Sequence, residues 1–237
     1  MWKYNIFELA KHHRVYAFDM VGAGRTDKPD AKYTFDFMAK FTHSLMEALN
    51  IPHANLIGAS AGGGVALTFA LKFPNRVDKL VIVGSAGLGK EVSWLLRLPT
   101  IPLLGELLGS PSRSGLAMLC KQAVYDPKLI TNEVVEEFYQ MATIKRAKEA
   151  MLSVGRENFN VWGQFYQPIV EKLNTITAPT LRKYGYPLML ASMEPVDGGM
   201  SCSINSIHYG NSNHYSSSVF LFIGATGSHP HTTTDIH

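Results

Sequence analysis

A chain of 237 residues, 46% hydrophobic and 17% charged, has the length and composition of a folded domain with a substantial core. Its formal net charge of +3 is small, and no Lys/Arg cluster interleaves with aromatic residues, which argues against a nucleic-acid partner. Two cysteines, Cys120 and Cys202, make neither a disulfide framework nor a metal set, so a reducing, cytoplasmic compartment is expected.

The first residues, Met1-Trp2-Lys3-Tyr4-Asn5, lack the apolar run of a signal peptide. Residues 5–13 predict a short helical turn. Arg14–Asp19, RVYAFD, predicts a strand, and a loop dense in turn formers follows from Met20 to Pro29. Its Gly22-Ala23-Gly24 is not a dinucleotide fingerprint, because the third glycine is missing and no helix opens on it. Thr34 or Asp36 caps the next helix, with Met38, Phe41, Leu45 and Leu49 at helical spacing up to Pro52.

The central motif lies in Ala54–Phe73, ANLIGASAGGGVALTFALKF. It predicts a buried strand, a tight turn Gly58-Ala59-Ser60-Ala61-Gly62, and an apolar helix ending near Pro74. A serine held on so sharp a turn needs small neighbours, because the backbone doubles back on itself. A merely close-packed Gly-rich turn is the plainer alternative. Lys79–Ser85, KLVIVGS, predicts another buried strand. Strand, helix, strand, helix, strand favours a parallel sheet, with its site at the strands' C-terminal ends.

From residue 87 the pattern changes. The apolar stretch from Trp94 to Leu108 is broken by Arg97, Pro99, Pro102, Gly105 and Glu106, so no membrane span is expected. A helix is predicted over Asn132–Met151, with Val134, Val135, Phe138, Met141 and Ile144 on one stripe, and a further helical segment over Phe159–Leu173. The aromatic residues here, among them Phe159, Trp162 and Phe165, read as core packing or as the apolar underside of a cap over Ser60.

Four segments together resemble the α/β-hydrolase superfamily, in its lidded serine-nucleophile branch of carbon–carbon bond hydrolases and esterases. They are Arg14–Pro29, Leu56–Leu67, Phe73–Gly87 (FPNRVDKLVIVGSAG) and Ile176–Leu181 (ITAPTL). The resemblance implies an α/β fold: a partial α/β-hydrolase fold with a mostly parallel sheet, flanking helices and a helical lid insertion. It divides the chain into a first core part (1–86), a helical lid or cap (87–175) and a degenerate C-terminal core segment (176–237), whose order or disorder the pattern leaves open. It also implies a Ser nucleophile, an Asp and a His in that chain order, with an oxyanion hole of two backbone N–H groups. Ser60 is then the nucleophile, and Ala61 supplies one oxyanion donor through its amide. No cofactor is implied, and the partner is a small apolar carbonyl or ester substrate.

The sequence departs from the family pattern twice. The family's earlier strands include an HG-containing loop that gives the second oxyanion donor, and no His-Gly dipeptide occurs here. A core truncated at its start is therefore expected, with self-association through exposed sheet edges. After Leu181 the motif breaks into Arg182-Lys183-Tyr184-Gly185-Tyr186-Pro187-Leu188, with Leu188 in the acid's place. Residues 189–237 are rich in Ser, Thr, Gly, Asn and His, as a shifted reading frame would leave them, and Ser218–Ile223 is their one strand-like run.

Within this remainder Gly227-Ser228-His229-Pro230 echoes the family's GHxP-like turn, which nominates His229 as base. Asp197 is the best loop candidate for the acid, with Glu194 behind it, and each also reads as a solvated turn residue. His208 and His214 are weaker bases, and these two with His229 and His231 match no metal spacing. Two functions are expected to compete: a cofactor-independent serine hydrolase cleaving an ester or a carbon–carbon bond next to a carbonyl, or a non-catalytic remnant that binds a small ligand.

Overall fold

The computed structural model describes Trp2 and residues 5–108, 110–122, 124, 126–183 and 219–224. A short helix α1 (Ile6–Ala10) leads into strand β1 (Arg14–Asp19). Helix α2 (Phe35–Ala48), strand β2 (Ala54–Ala59), helix α3 (Ala61–Lys72) and strand β3 (Val77–Val83) follow. Six helices come next: α4 (Trp94–Arg97), α5 (Leu104–Leu108), α6 (Arg113–Gln122), α7 (Asn132–Ala142), α8 (Ala147–Asn158) and α9 (Gln167–Val170). A small hairpin of β4 (Phe159–Asn160) and β5 (Gly163–Gln164) separates the last two. Strands β6 (Thr180–Lys183) and β7 (Val219–Gly224) complete the described chain.

The main sheet has the order β1-β7-β2-β3-β6. Strands β2, β3 and β6 run parallel to one another, while β7 lies antiparallel to both β1 and β2. The mostly parallel sheet with flanking helices is therefore present, with one reversed strand inside it.

Local chemistry explains the first half. Thr34 caps α2 by accepting the Phe37 N–H at 3.0 Å, a contact worth about 1 kcal/mol. Phe35, Met38, Ala39, Thr42 and Met46 then form the buried stripe of that helix. Helix α3 buries almost every residue from Gly62 to Ala70, and the absence of a side chain at Gly64 admits the Phe35 ring. A Cβ there would sit 2.7 Å from Phe35 Cε2. These residues join Met20, Leu56, Leu80 and Ile82 in one core. A separate apolar cluster of Cys120, Val124, Ile130, Val134 and Val135 sits among the later helices. Burial pushes the Cys120 thiol up, which disfavours the reactive thiolate.

Two expectations are corrected and one is placed. The single helix over Asn132–Met151 is two helices, α7 and α8, because the chain turns at Arg146 in a left-handed conformation (φ 67°). The helical segment over Phe159–Leu173 is instead the β4–β5 hairpin followed by the single turn of α9. Gly163, at φ 132°, permits the hairpin by letting the backbone close against Lys90 O. The strand expected over Ser218–Ile223 is present over Val219–Gly224 and lies inside the sheet, flanked on both sides.

Helices α5 and α8 are tied by a two-pronged ion pair, Arg156 to Glu106, at 2.8 and 2.9 Å. Hydrogen bonding from Arg156 holds the Glu106 carboxyl down at about 2. A depressed carboxyl stabilises the fold above its ordinary pKa and loses that contribution as pH falls through the folded value. Acid titration is therefore expected to loosen this pairing between the ordinary carboxylate range and pH 2, read as faster exchange of α5 and α8 amides. Glu106→Gln should flatten that pH dependence.

Candidate active site

Strand β2 ends at Ala59 and helix α3 starts at Ala61, so Ser60 alone makes the reversal. Its backbone sits at φ 54° and ψ −123°, a conformation that L-residues rarely adopt and that costs roughly 1–3 kcal/mol. Hydrogen bonds hold it there. Ser60 N–H donates to Val83 O at 3.0 Å. Ser60 O accepts from Gly63 N–H at 3.0 Å, Gly64 N–H at 3.4 Å and Ala86 N–H at 2.9 Å. The start of α3 and the loop after β3 thus grip the same peptide.

Missing side chains make room for the turn. A Cβ at Gly58 would lie 2.4 Å from Gly62 O, and one at Gly63 would lie 2.5 Å from Ser85 Oγ. Ser60 is half-buried at the C-terminal edge of the sheet. Ala61 opens α3, where the first N–H groups have no intrahelical acceptor, so its amide is a donor for negative charge beside Ser60.

The loop after β1 closes on Asp19. Its carboxylate accepts the Arg25 N–H at 3.0 Å, and Thr26 Oγ1 donates to Asp19 O at 2.6 Å. Lys28, nearly buried, donates to Gly24 O and Thr26 O at 2.8 Å each. This carboxylate is thereby committed to holding a loop.

Of the nominated residues, Ser60 and Ala61 are brought together. Asp197, Glu194, His208, His214, His229 and His231 lie outside the described residues. Among the described residues no His or carboxylate hydrogen-bonds Ser60, and no cluster of His, Cys, Asp and Glu is arranged to hold a metal. Among the same residues no helix is long and apolar enough to cross a membrane.

Two buried amides escaped the sequence reading. Asn158 Oδ1 accepts the Phe35 N–H at 3.1 Å while its amide donates to Tyr33 O and Val154 O. Gln164 Oε1 accepts the Gly87 N–H at 2.8 Å and its amide donates to Glu91 O at 2.6 Å. Their available signal was two amides set in the aromatic stretch from Asn158 to Tyr166.

Residues 1–102 match the family model described as alpha/beta hydrolase fold. The chain is 31% identical over 185 residues to the 2-hydroxy-6-oxo-6-(2'-aminophenyl)hexa-2,4-dienoic acid hydrolase of Metapseudomonas resinovorans, a match covering 78% of this chain and 61% of that protein. It is 36% identical over 141 residues to the 2-hydroxymuconate semialdehyde hydrolase of Pseudomonas sp. (strain CF600), covering 59% and 47%. The chain thus spans about half to three fifths of the length of these curated relatives. Among solved structures, a mutant of the meta-cleavage product hydrolase of Pseudomonas fluorescens IP01 (CumD) superposes with a TM-score of 0.61 at 28% identity, covering 77% of this chain and 65% of the other. A serine hydrolase involved in carbazole degradation (CarC enzyme) gives 0.56 at 27% identity, covering 70% and 57%.

Proposed function

The chain belongs to the α/β-hydrolase superfamily, and we propose that it is a serine hydrolase that needs no cofactor and cleaves a carbon–carbon bond next to a carbonyl in a small dienoate-like ketone, or an ester. The observation that carries this reading is the strained Ser60 at the β2–α3 junction, gripped through both its N–H and its carbonyl. Such strain persists only where the surrounding structure enforces it. The reading of the substrate class is supported by relatives named as hydrolases of dienoic acids and of a muconate semialdehyde.

In this reading Ser60 Oγ adds to the substrate carbonyl as its proton passes to a base. The carbonyl π pair moves onto oxygen, and the Ala61 N–H donates to that oxyanion. Collapse of the adduct breaks the carbon–carbon or ester bond. The leaving carbon or oxygen takes the proton held by the base, and water then releases the acyl group from Ser60. The base and the acid come from outside the described residues, where the sequence nominates His229, with His208 and His214 behind it, as base and Asp197 as acid.

A second reading, a small-ligand-binding protein without turnover, rests on the sequence's departure from the family pattern, with Leu188 in the acid's place. A lone serine is a poor nucleophile. A fluorophosphonate probe separates the two. Labelling at Ser60, together with consumption of a dienoate ketone that Ser60→Ala abolishes, is expected. An unlabelled, folded chain that binds such a ketone without consuming it would establish the second reading.

A further inference from the structure

The Ser60 carbonyl is held from two directions. Gly63 and Gly64 belong to the helix that Ser60 begins, but Ala86 belongs to the loop after β3. Nothing in the strand β3 ladder fixes that loop, because β3 ends at Val83. What does fix it comes from residues far along the chain.

Gln164 is the main contact. Its side chain is buried, and it uses both ends of its amide on one short stretch. Oε1 accepts the Gly87 N–H at 2.8 Å, and Nε2 donates to Glu91 O at 2.6 Å. The Gln164 backbone N–H donates to Lys90 O at 2.9 Å. Three bonds from one residue thus brace residues 87–91. Ile169 closes the other side, for a Cβ at Gly87 (φ 81°) would lie 2.5 Å from Ile169 Cδ1. Gly87 is the residue after Ala86, whose N–H is on the Ser60 carbonyl.

We infer that Gln164 is a positioning residue for Ser60: by fixing Gly87 through its side-chain amide, it keeps the Ala86 N–H on the Ser60 carbonyl and so maintains the strained turn that presents Ser60 Oγ. The consequence for Ser60 reactivity rests on the proposed role of Ser60 as nucleophile. Asn158 provides the contrast. It is buried to a similar degree and makes three side-chain bonds to the two of Gln164, but these go to Tyr33 and Phe35 at the start of α2 and to Val154 in α8. It makes no bond to the loop after β3, and it reaches the Ser60 carbonyl only indirectly, through the Phe35 ring packed on Gly64.

The test compares Gln164→Met with Asn158→Leu in the full chain, each removing a buried amide. Hydrogen exchange reads the brace directly, and fluorophosphonate labelling of Ser60, corrected for the folded fraction, reads its consequence. Gln164→Met is expected to speed exchange at Ala86 and Gly87 by about tenfold or more, as local opening does when its closing bonds go. It should slow Ser60 labelling by up to about 10²-fold, the scale of a small misplacement of a reacting group. Asn158→Leu should speed exchange at Phe35 and slow corrected labelling much less than Gln164→Met does. Gln164→Glu keeps an acceptor for Gly87 N–H and should restore part of the Ala86 protection. Unchanged Ala86 exchange in Gln164→Met overturns the inference, as does equal slowing of corrected labelling in both variants. An unlabelled wild-type Ser60 would sink the nucleophile reading, and the exchange comparison would still decide the brace.

Discussion

Gly58→Ala is expected to destabilise the chain by about 3 kcal/mol, the upper end of the cost of overpacking a filled site. That corresponds to a fall of roughly 6–12 °C in Tm for a protein of this size. The added methyl would meet Gly62 O at 2.4 Å and the Gly62 carbonyl carbon at 2.8 Å, with Gly63 Cα at 2.9 Å. All three are backbone atoms in the first turn of α3, so no side chain can rotate away. Relief requires α3 to back off from β2, and that movement takes Gly63 and Gly64 N–H off the Ser60 carbonyl. Ser60 labelling should therefore fall further than the loss of folded protein explains. Gly115→Ala is the matched control, since a Cβ there meets only the flexible Ser112 Oγ, at 2.9 Å on the exposed start of α6. Gly58→Ala with normal thermal stability and normal labelling would mean that the turn is not closed as described.

This turn was legible in the sequence because its physics is local. Strand, small residue, serine, small residue and helix are adjacent in the chain, and the requirement for glycine follows from distances over four residues. Strand β1 and the Thr34 cap were legible for the same reason, since each depends on neighbours. The hairpin at Phe159–Gln164 was not. Asn158, Val161 and Trp162 fit a helical pattern as well as a turn, and what decides is the approach of Gly163 to Lys90 O, some seventy residues away. The brace by Gln164 was hidden likewise, because a glutamine in an aromatic stretch has no local signature of burial. The break at Arg146 rests on a left-handed arginine, which composition does not announce. For β7 the apolar run predicted a strand, but neither its neighbours nor its direction follow from a run that lacks a neighbouring helix.

The direction of β7 predicts that His214→Ala, and not His229→Ala, removes the base that activates Ser60. Phe220 is paired with Gly58 and Ile223 with Asn55, so the strand begins beside the Ser60 end of β2 and finishes at the opposite end, where Gly224 faces Arg14. His229 comes five residues after Gly224. Five residues bridge at most about 18 Å when fully extended, whereas the six steps from Ala54 to Ser60 along a strand cover about 20 Å. His229 would need a nearly straight return along the whole sheet. His214 precedes Val219 by the same five residues, on the side where Val219 pairs with Asp19 at the C-terminal end of β1. The expected loss for His214→Ala is about 10³-fold in kcat/KM, within the usual range for removing a general base. A base acts only when deprotonated, so the wild-type rate should rise with pH through the histidine pKa, and that rise should vanish in His214→Ala. His229→Ala should keep both the rate and the rise. Loss confined to His229→Ala would show that the chain turns back along the sheet after Gly224. Loss in neither, with Ser60 still labelled, would remove both histidines from the chemistry.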